Sequence, residues 1–163
     1  MRFHTEHTFT GSEQAVATLL SDPDFYLGLT LPDLGQPELL EQRLDTTDAI
    51  VRLRYEFVGS IDPIARRLIG SDRLSWIQEV RVDRSAGSGT LRFEAEKSPK
   101  QLHGTAAFVL TTAGRGCVRH LDGELVVAVP GLGRMAERRI VPGITRRLDT
   151  EAQALNDRLE RQR

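Results

Sequence analysis

The order of segments along the chain is the feature that most restricts its fold. Residues 2–10 alternate polar and apolar side chains like a half-buried strand, and further segments of this kind fill residues 38–129. From residue 132 onward the apolar residues recur with helical spacing. A sheet must bury its apolar face against another element. The order therefore predicts an α+β fold, in which a curved antiparallel sheet of six to seven strands wraps around a long C-terminal helix.

The strand predictions rest on alternation of side chains. The strongest alternation lies in residues 48–58, where Val51, Leu53, Tyr55 and Phe57 share one parity. Together with residues 38–46, this segment predicts a hairpin. Four further strands are predicted after it, at residues 75–83, 90–97, 101–112 and 117–129.

Helical segments are predicted before, between and after the strands. Ser12 is a suitable N-cap for a first short helix, and residues 25–31 predict a second. Residues 62–70 begin with Asp-Pro and end with Gly, which predicts another short helix. Pro142 interrupts the C-terminal apolar stripe, so we expect a kink or break there and the helix proper from about Ile144.

Length and composition predict one globular domain over residues 1–163. The net charge is −1, and 39% of the residues are hydrophobic, which is typical of a chain with a packed core. No apolar run approaches the ~20 residues that span a bilayer, so we expect no integral membrane segment. The N-terminus does not resemble a signal peptide, and Cys117 is the only cysteine. These features predict a cytoplasmic protein without an internal disulfide.

Residues 134–163 carry eight arginines and five acids. This segment is either a basic face for an anionic partner or a solvated helix face that is partly paired with its own acids. Because the charge of the whole chain is balanced, the second interpretation is favoured. We predict no nucleic-acid partner, and the sequence does not specify a protein partner.

Two patterns suggest a cofactor or a metal but lack the surroundings that either needs. Residues 131–136 match the dinucleotide fingerprint, which requires a second parallel strand after the helix, and too little sequence follows. His4 and His7 point to opposite faces of a strand. His103 and His120 have no cysteine or acid at ligand spacing in the sequence. We therefore predict no cofactor and no metal.

The sequence contains no motif of nucleophilic catalysis. Cys117 and His120 have opposite parity on their strand, and a buried structural role is favoured for the cysteine. There is no Gly-x-Ser-x-Gly segment. We assign no catalytic residue; the pattern leaves enzymatic activity open and favours its absence.

The element order resembles the START and pollen-allergen superfamily (SRPBCC, polyketide cyclase-like), in particular a small, functionally uncharacterised branch. The last strand, ending at residues 125–129, and the Pro-Gly-Leu-Gly step at residues 130–133 carry the resemblance, which covers nearly the whole chain. It implies a helix-grip fold of a strand, two short helices, six strands and a long C-terminal helix. It also implies binding of lipids, sterols, polyketides or other apolar molecules, and some members are cyclases or dehydratases. The predicted helix at residues 62–70 departs from the simplest family pattern.

An apolar space between sheet and C-terminal helix would be the site of such binding. Aromatic side chains on the inner face either line a cavity or fill the core, and the sequence leaves both open. Polar groups are also predicted there by parity, including either Arg119 or His120, and an unpartnered buried polar group costs ~1–3 kcal/mol. The predicted ligand-binding residues are His7, Phe25, Leu53, Tyr55, Phe57, Trp76, Gln78, Leu91, Phe93, Phe108, Leu110, Ile140, Ile144 and Leu148.

Three functions are compatible with these patterns. The first is binding or transport of an apolar small molecule of lipid, sterol or polyketide type. The second is a cyclase-like or dehydratase-like enzyme acting on such a ligand, with His7, Tyr55 or His120 as the acid–base group. The third is a protein-interaction module that uses the arginine-rich helix face.

Overall fold

The computed structural model describes residues 1–60, 66 and 73–162, and these residues form a sheet and three helices. The predicted helix at residues 62–70 lies, apart from Arg66, outside the described residues. The strands are β1 (Arg2–Phe9), β2 (Glu38–Leu44), β3 (Asp48–Phe57), β4 (Leu74–Asp83), β5 (Ser88–Ala95), β6 (Leu102–Ala113) and β7 (Gly116–Val127). The helices are α1 (Glu13–Leu20), α2 (Pro23–Leu27) and α3 (Gly133–Arg161).

The seven strands make one curved antiparallel sheet in the order β1-β7-β6-β5-β4-β3-β2. Strands β2 to β7 follow one another as a meander. The exception is β1, which pairs with β7 along its whole length, from Arg2 opposite Glu124 to Phe9 opposite Cys117. This pairing joins the two ends of the strand series. The architecture confirms the predicted α+β, helix-grip fold.

The two short helices begin at the caps that the sequence indicates. The Ser12 hydroxyl accepts a hydrogen bond from the Ala15 N–H at 3.2 Å, and the Asp22 carboxylate accepts one from the Asp24 N–H at 2.9 Å. These bonds satisfy N–H groups that have no partner inside a helix. The Tyr26 hydroxyl donates to a carbonyl of α1 and ties the two helices together.

Glycines on the inner face lie directly opposite phenylalanines on the neighbouring strand. The three cross-strand pairs are Phe3 with Gly123, Phe93 with Gly104, and Phe108 with Gly89. A Cβ at Gly104 would lie 2.2 Å from the Phe93 ring, and one at Gly123 would lie 2.3 Å from the Phe3 ring. Each ring therefore lies flat over a backbone that only glycine leaves free.

Helix α3 is continuous from Gly133 to Arg161 with Pro142 inside it, so the expectation of a break with the helix starting near Ile144 is wrong. The proline removes one backbone hydrogen bond, but the turns before it are held by packing. Ala136 and Val141 are buried in a second core cluster with residues of β7. The burial of these side chains offsets the free-energy cost of a proline inside the helix. No helix in the described part of the chain is long and apolar enough to cross a bilayer.

The main core lies between the sheet and the second half of α3. Four side chains of this half pack there against the strands and the short helices: Leu148, Ala152, Leu155 and Leu159. The spacing of these residues is the helical stripe seen in the sequence. The first half of α3 therefore covers one part of the sheet, and the second half covers another.

Replacing Gly143 with alanine tests the continuity of α3. A Cβ at Gly143 would meet nothing within 4 Å, and alanine in a helix interior is more favourable than glycine by roughly 0.5–1 kcal/mol. We expect Gly143→Ala to raise the free energy of unfolding by about this amount, measured by urea denaturation. In the contrasting variant Gly89→Ala, the new Cβ would lie 2.2 Å from the Arg81 carbonyl oxygen, and stability should fall. A destabilised Gly143→Ala variant would argue against a continuous helix.

Candidate functional site

A group of apolar side chains between the sheet and the first half of α3 is only half-buried. They face the inside of the curved sheet, where a completed core would exclude solvent. Several of them bridge the two core clusters. We call this group the concave patch; it consists of Phe3, Trp76, Leu91, Phe93, Leu102, Ala106, Ile140 and Ile144.

Short residues in the two strands at the centre of the patch leave the space. Leu91 lies opposite Ala106, Ala106 lies opposite Gly123, and Gly123 lies opposite Phe3. Because the Phe3 ring already lies over Gly123, the small side chain of Ala106 is what leaves room in this row. We call the apolar surface around Ala106 the trough; the side chains that surround it are only half-buried. Such a concave apolar surface is typical of a small-molecule site.

Two buried polar atoms lie next to the trough without a hydrogen-bond partner of normal geometry. They are the Tyr55 hydroxyl and the Gln78 amide nitrogen, in side chains 1% and 5% exposed. Gln78 is directly opposite Phe93 of the concave patch. Desolvation raises the pKa of Tyr55, so the phenol keeps its proton and can donate. Both atoms are available to a polar group of a ligand.

A cation lies beside this polar end. The Tyr55 and Trp76 rings are stacked with centroids 5.7 Å apart. The Arg147 guanidinium of α3 lies 4.3 Å from the Tyr55 ring centroid and 5.9 Å from that of Trp76. Cation–π attraction holds the charge at this position. The edge of the trough formed by β3 and β4 is therefore positive and rich in hydrogen-bond donors.

A buried ion pair joins the sheet to α3 below the trough. The Arg119 guanidinium donates to the Glu151 carboxylate at 2.8 Å, and the two residues are 0% and 2% exposed. Arg119 also lies 3.2 Å from His7 Nδ1, and His7 Nε2 lies 3.0 Å from the Asp149 carboxylate. Because a guanidinium only donates, Nδ1 accepts and Nε2–H donates to Asp149. The chain of bonds connects β1, β7 and α3.

The opposite, outward face of the sheet carries a shallow cleft of about 690 Å³. Outward charged side chains, among them Glu79, Arg81, Arg92 and Glu124, form part of its walls, and no described residue of α3 lines it. The row Leu91, Ala106, Gly123 and Phe3 also lines this cleft, although the side chains of this row belong by parity to the inner face. Many of these charges form exposed ion pairs along the strands, such as Arg81 with Glu79 at 2.6 Å. This cleft is therefore distinct from the predicted apolar space.

The sequence from residue 4 to 159 matches one family model, described as a protein of unknown function, DUF2505. The chain belongs to this family. No curated protein matches it at a significant level.

Solved structures with the same fold are similar along their whole length. TTHA0849 from Thermus thermophilus is 14% identical with a TM-score of 0.68, covering 97% of this chain and 96% of its own. The Zhui aromatase/cyclase from a Streptomyces species is 17% identical with a TM-score of 0.65, covering 99% and 95%. A START superfamily protein from Mycobacterium smegmatis is 15% identical with a TM-score of 0.62, covering 99% of both chains. The fold is that of the START and pollen-allergen superfamily.

The structure divides the predicted ligand-binding residues into two groups. Those in the concave patch are Trp76, Leu91, Phe93, Ile140 and Ile144, with Tyr55 and Gln78 beside it. Those buried in the main core are Phe25, Leu53, Phe108, Leu110 and Leu148. Phe57 is half-buried at the end of β3 and bridges to Leu34, and His7 is held by the ion-pair network. A ligand-binding role for any of these residues stays a prediction.

Sequence reasoning missed three members of the concave patch: Phe3, Leu102 and Ala106. A signal was present, because Phe3 shares the parity of His7 on β1, and Leu102 and Ala106 share the parity of Phe108 on β6. What parity could not show is which inward side chains remain accessible to solvent. That depends on where α3 lies over the sheet.

The sequence left open whether Arg119 or His120 faces the inside of the sheet, and the register of β7 decides between them. Arg119 is buried and faces inward, while His120 faces outward with Nδ1 3.2 Å from the Glu6 carboxylate. His120 is therefore not an acid–base candidate for the concave face. The spacing of acids in the sequence did not reveal Glu6 as a neighbour, because Glu6 is distant from His120 in the sequence and adjacent to it in the sheet.

Two other sequence patterns have structural explanations. Cys117 is buried, and burial raises the pKa of its thiol to about 11, with a smaller contribution from the Glu13 carboxylate; the thiol is not activated as a nucleophile. Gly133 begins α3, where a Cβ would lie 2.2 Å from the Val127 carbonyl oxygen. This glycine of the dinucleotide fingerprint thus allows the chain to pass close to β7. The fingerprint also requires parallel strands, whereas every strand pairing among the described residues is antiparallel.

Removing one charge of the buried pair should be costly. We expect Glu151→Gln to lower the free energy of unfolding by about 3–5 kcal/mol, because Arg119 would keep an uncompensated buried charge. The matched control is Glu96→Gln, which breaks an exposed pair with Arg54 at the same 2.8 Å separation. That change should cost no more than about 1 kcal/mol. Urea denaturation of both variants measures the difference; equal losses would contradict a special role for the buried pair.

Proposed function

We propose that the protein binds an apolar small molecule, of lipid, sterol or polyketide type, between the concave face of the sheet and α3. The observation that carries the proposal is the concave patch, a group of half-buried apolar side chains beside the buried Tyr55 hydroxyl and the unsatisfied Gln78 amide nitrogen. Solvent-exposed apolar surface and unsatisfied buried polar atoms are both unfavourable in the free protein. A ligand with an apolar body and one polar end would correct both.

The apolar body of the ligand would lie over the middle of the trough. Ala106 provides the room, and Phe3, Leu91 and Phe93 provide the walls. Each Å² of apolar surface removed from water contributes roughly 25 cal/mol before the costs of association are counted. The trough thus supplies affinity with little selectivity between apolar shapes.

The polar end of the ligand would lie toward β3 and β4. There the Gln78 amide N–H and the Tyr55 hydroxyl can donate to an oxygen, and Arg147 contributes a positive charge. A carboxylate, a sulfonate or a ketone oxygen satisfies all three groups. We expect ligands with an oxygen-bearing, acidic or carbonyl end to bind more tightly than plain hydrocarbons.

Binding is favoured over catalysis by the state of the candidate acid–base groups. Both ring nitrogens of His7 are engaged, one with Arg119 and one with Asp149. The raised pKa of Tyr55 makes this phenol a hydrogen-bond donor rather than a base. The fold is shared with both a START superfamily protein and an aromatase/cyclase, so the preference for binding rests on these two residues.

Substitutions at two neighbouring alanines test the two faces of the sheet separately. Ala106 is half-buried in the trough, and Ala107 is exposed on the outward face. We expect Ala106→Phe to abolish binding of anilinonaphthalene sulfonate, an apolar probe with an acidic end, because the new ring fills the trough. Ala107→Phe should leave binding unchanged. Fluorescence of the probe and of Trp76, the sole tryptophan, reports binding.

Stability measurements on the same pair complete the test. If the trough is open, Ala106→Phe is accommodated with little loss of stability, whereas a filled interior would be overpacked at a cost of about 1–3 kcal/mol. A large loss of stability in Ala106→Phe, or undiminished probe binding in a folded Ala106→Phe variant, would refute the proposed site.

A second variant tests the polar end. We expect Gln78→Met to raise the free energy of unfolding of the ligand-free protein by roughly 1 kcal/mol, because it removes an unsatisfied buried amide. The same change should weaken binding of a long-chain fatty acid several-fold. Gln42→Met, at an exposed position of β2, is the matched control and should alter neither quantity. Calorimetric titration and urea denaturation measure the two effects; unchanged fatty-acid affinity would remove Gln78 from the site.

A further inference from the structure

Two histidines and two carboxylates meet on the outward face of β1 and β7, on the side of the sheet away from the concave patch. The antiparallel register places His4 opposite Asp122 and Glu6 opposite His120. His4 Nδ1 lies 2.9 Å from the Asp122 carboxylate, and His120 Nδ1 lies 3.2 Å from that of Glu6. All four side chains are at least two-fifths exposed. We call this group the β1–β7 cluster.

The ligand atoms of the β1–β7 cluster are close enough to share one ion. One atom each from His4, Glu6 and His120 lies within 4.8 Å of the others. A tetrahedral zinc ion with bonds of about 2.0–2.1 Å separates its ligand atoms by about 3.3 Å. The His120 to Glu6 distance of 3.2 Å already has this value. Small rotations of exposed side chains bring in the rest.

The pairing of β1 with β7 places the four side chains of the cluster together. Each histidine lies two residues from a carboxylate on the same strand and directly opposite the other carboxylate on the neighbouring strand. Residues two apart on a strand point to the same face. Hydrogen bonds of the β1–β7 ladder hold the two strands in this register. The four side chains therefore share one small area of the sheet.

We propose that the β1–β7 cluster binds a late first-row divalent metal ion, zinc by preference. Imidazole nitrogens favour zinc, copper, nickel and iron over magnesium and calcium. Glu6 and the two neutral imidazoles supply three ligands, and a water or the Asp122 carboxylate beside His4 completes four. The exposure of the cluster leaves the ion accessible to water or to an anionic group of another molecule.

The test is a zinc titration of the full chain, made without a polyhistidine tag and followed by isothermal calorimetry. We expect saturation at one equivalent. His4→Ala and His120→Ala should each weaken zinc binding at least about ten-fold, since each removes one of four ligands. The matched control is His103→Ala, which removes an outward histidine on β6 whose Nδ1 lies 3.1 Å from the Pro99 carbonyl oxygen. This variant should bind zinc as the parent protein does.

Cobalt gives a second readout that depends on geometry. In place of zinc, Co²⁺ bound by this cluster should show the intense visible absorption of a tetrahedral ion, and His120→Ala should abolish it. Magnesium should not compete. The proposal is wrong if His4→Ala and His120→Ala, both folded by circular dichroism, retain the parent affinity for zinc, or if His103→Ala loses as much. Binding of anilinonaphthalene sulfonate should be the same in all three variants, which separates this site from the concave patch.

Discussion

The buried contact between Arg119 and Glu151 determines how the C-terminal helix lies on the sheet. Two opposite charges enclosed by apolar side chains cannot be separated without leaving one of them unpaired in the interior. The helix therefore cannot slide by a turn along β7 while keeping its apolar stripe buried. His7 and Asp149 extend the same contact to β1 and to the next turn of the helix. The position of the helix in turn sets which inner side chains stay open to solvent.

The concave patch exists because of what the sheet lacks under the first half of the helix. Phenylalanine rings lie over Gly104 and Gly123 on the neighbouring strands, whereas the small side chain of Ala106 leaves volume beside them. Packing the same region with leucine would have filled it, as happens under the second half of the helix. The Tyr55 hydroxyl and the Gln78 amide nitrogen lie to one side of this volume, on β3 and β4. The inner face of the sheet is therefore apolar and concave, whereas the outer face is charged and exposed to solvent.

Much of the architecture follows from local rules that the residues obey. Alternation of side chains in β3 and the cap at Ser12 are short-range signals, and both elements form where these signals indicate. Pro142 is the counterexample: its local effect is unfavourable, yet the helix continues, because Ala136 and Val141 are buried against β7. A proline's local cost is visible in the sequence, whereas the compensating burial depends on residues more than ten positions away. Of the candidate site, the aromatic members were predictable from parity, but Ala106 was not, since its importance lies in its small volume.

The sequence by itself determined which side chains share a face, because that property depends only on the period of the backbone. It thereby specified a two-faced sheet, a striped C-terminal helix and an interior rich in aromatic residues. Tertiary structure alone decided which of these faces meet and at what register. The pairing of the first strand with the last brought His4 beside Asp122 and Glu6 beside His120 across more than a hundred residues. Contacts of this kind are set by the whole chain closing on its core, and no local pattern records them.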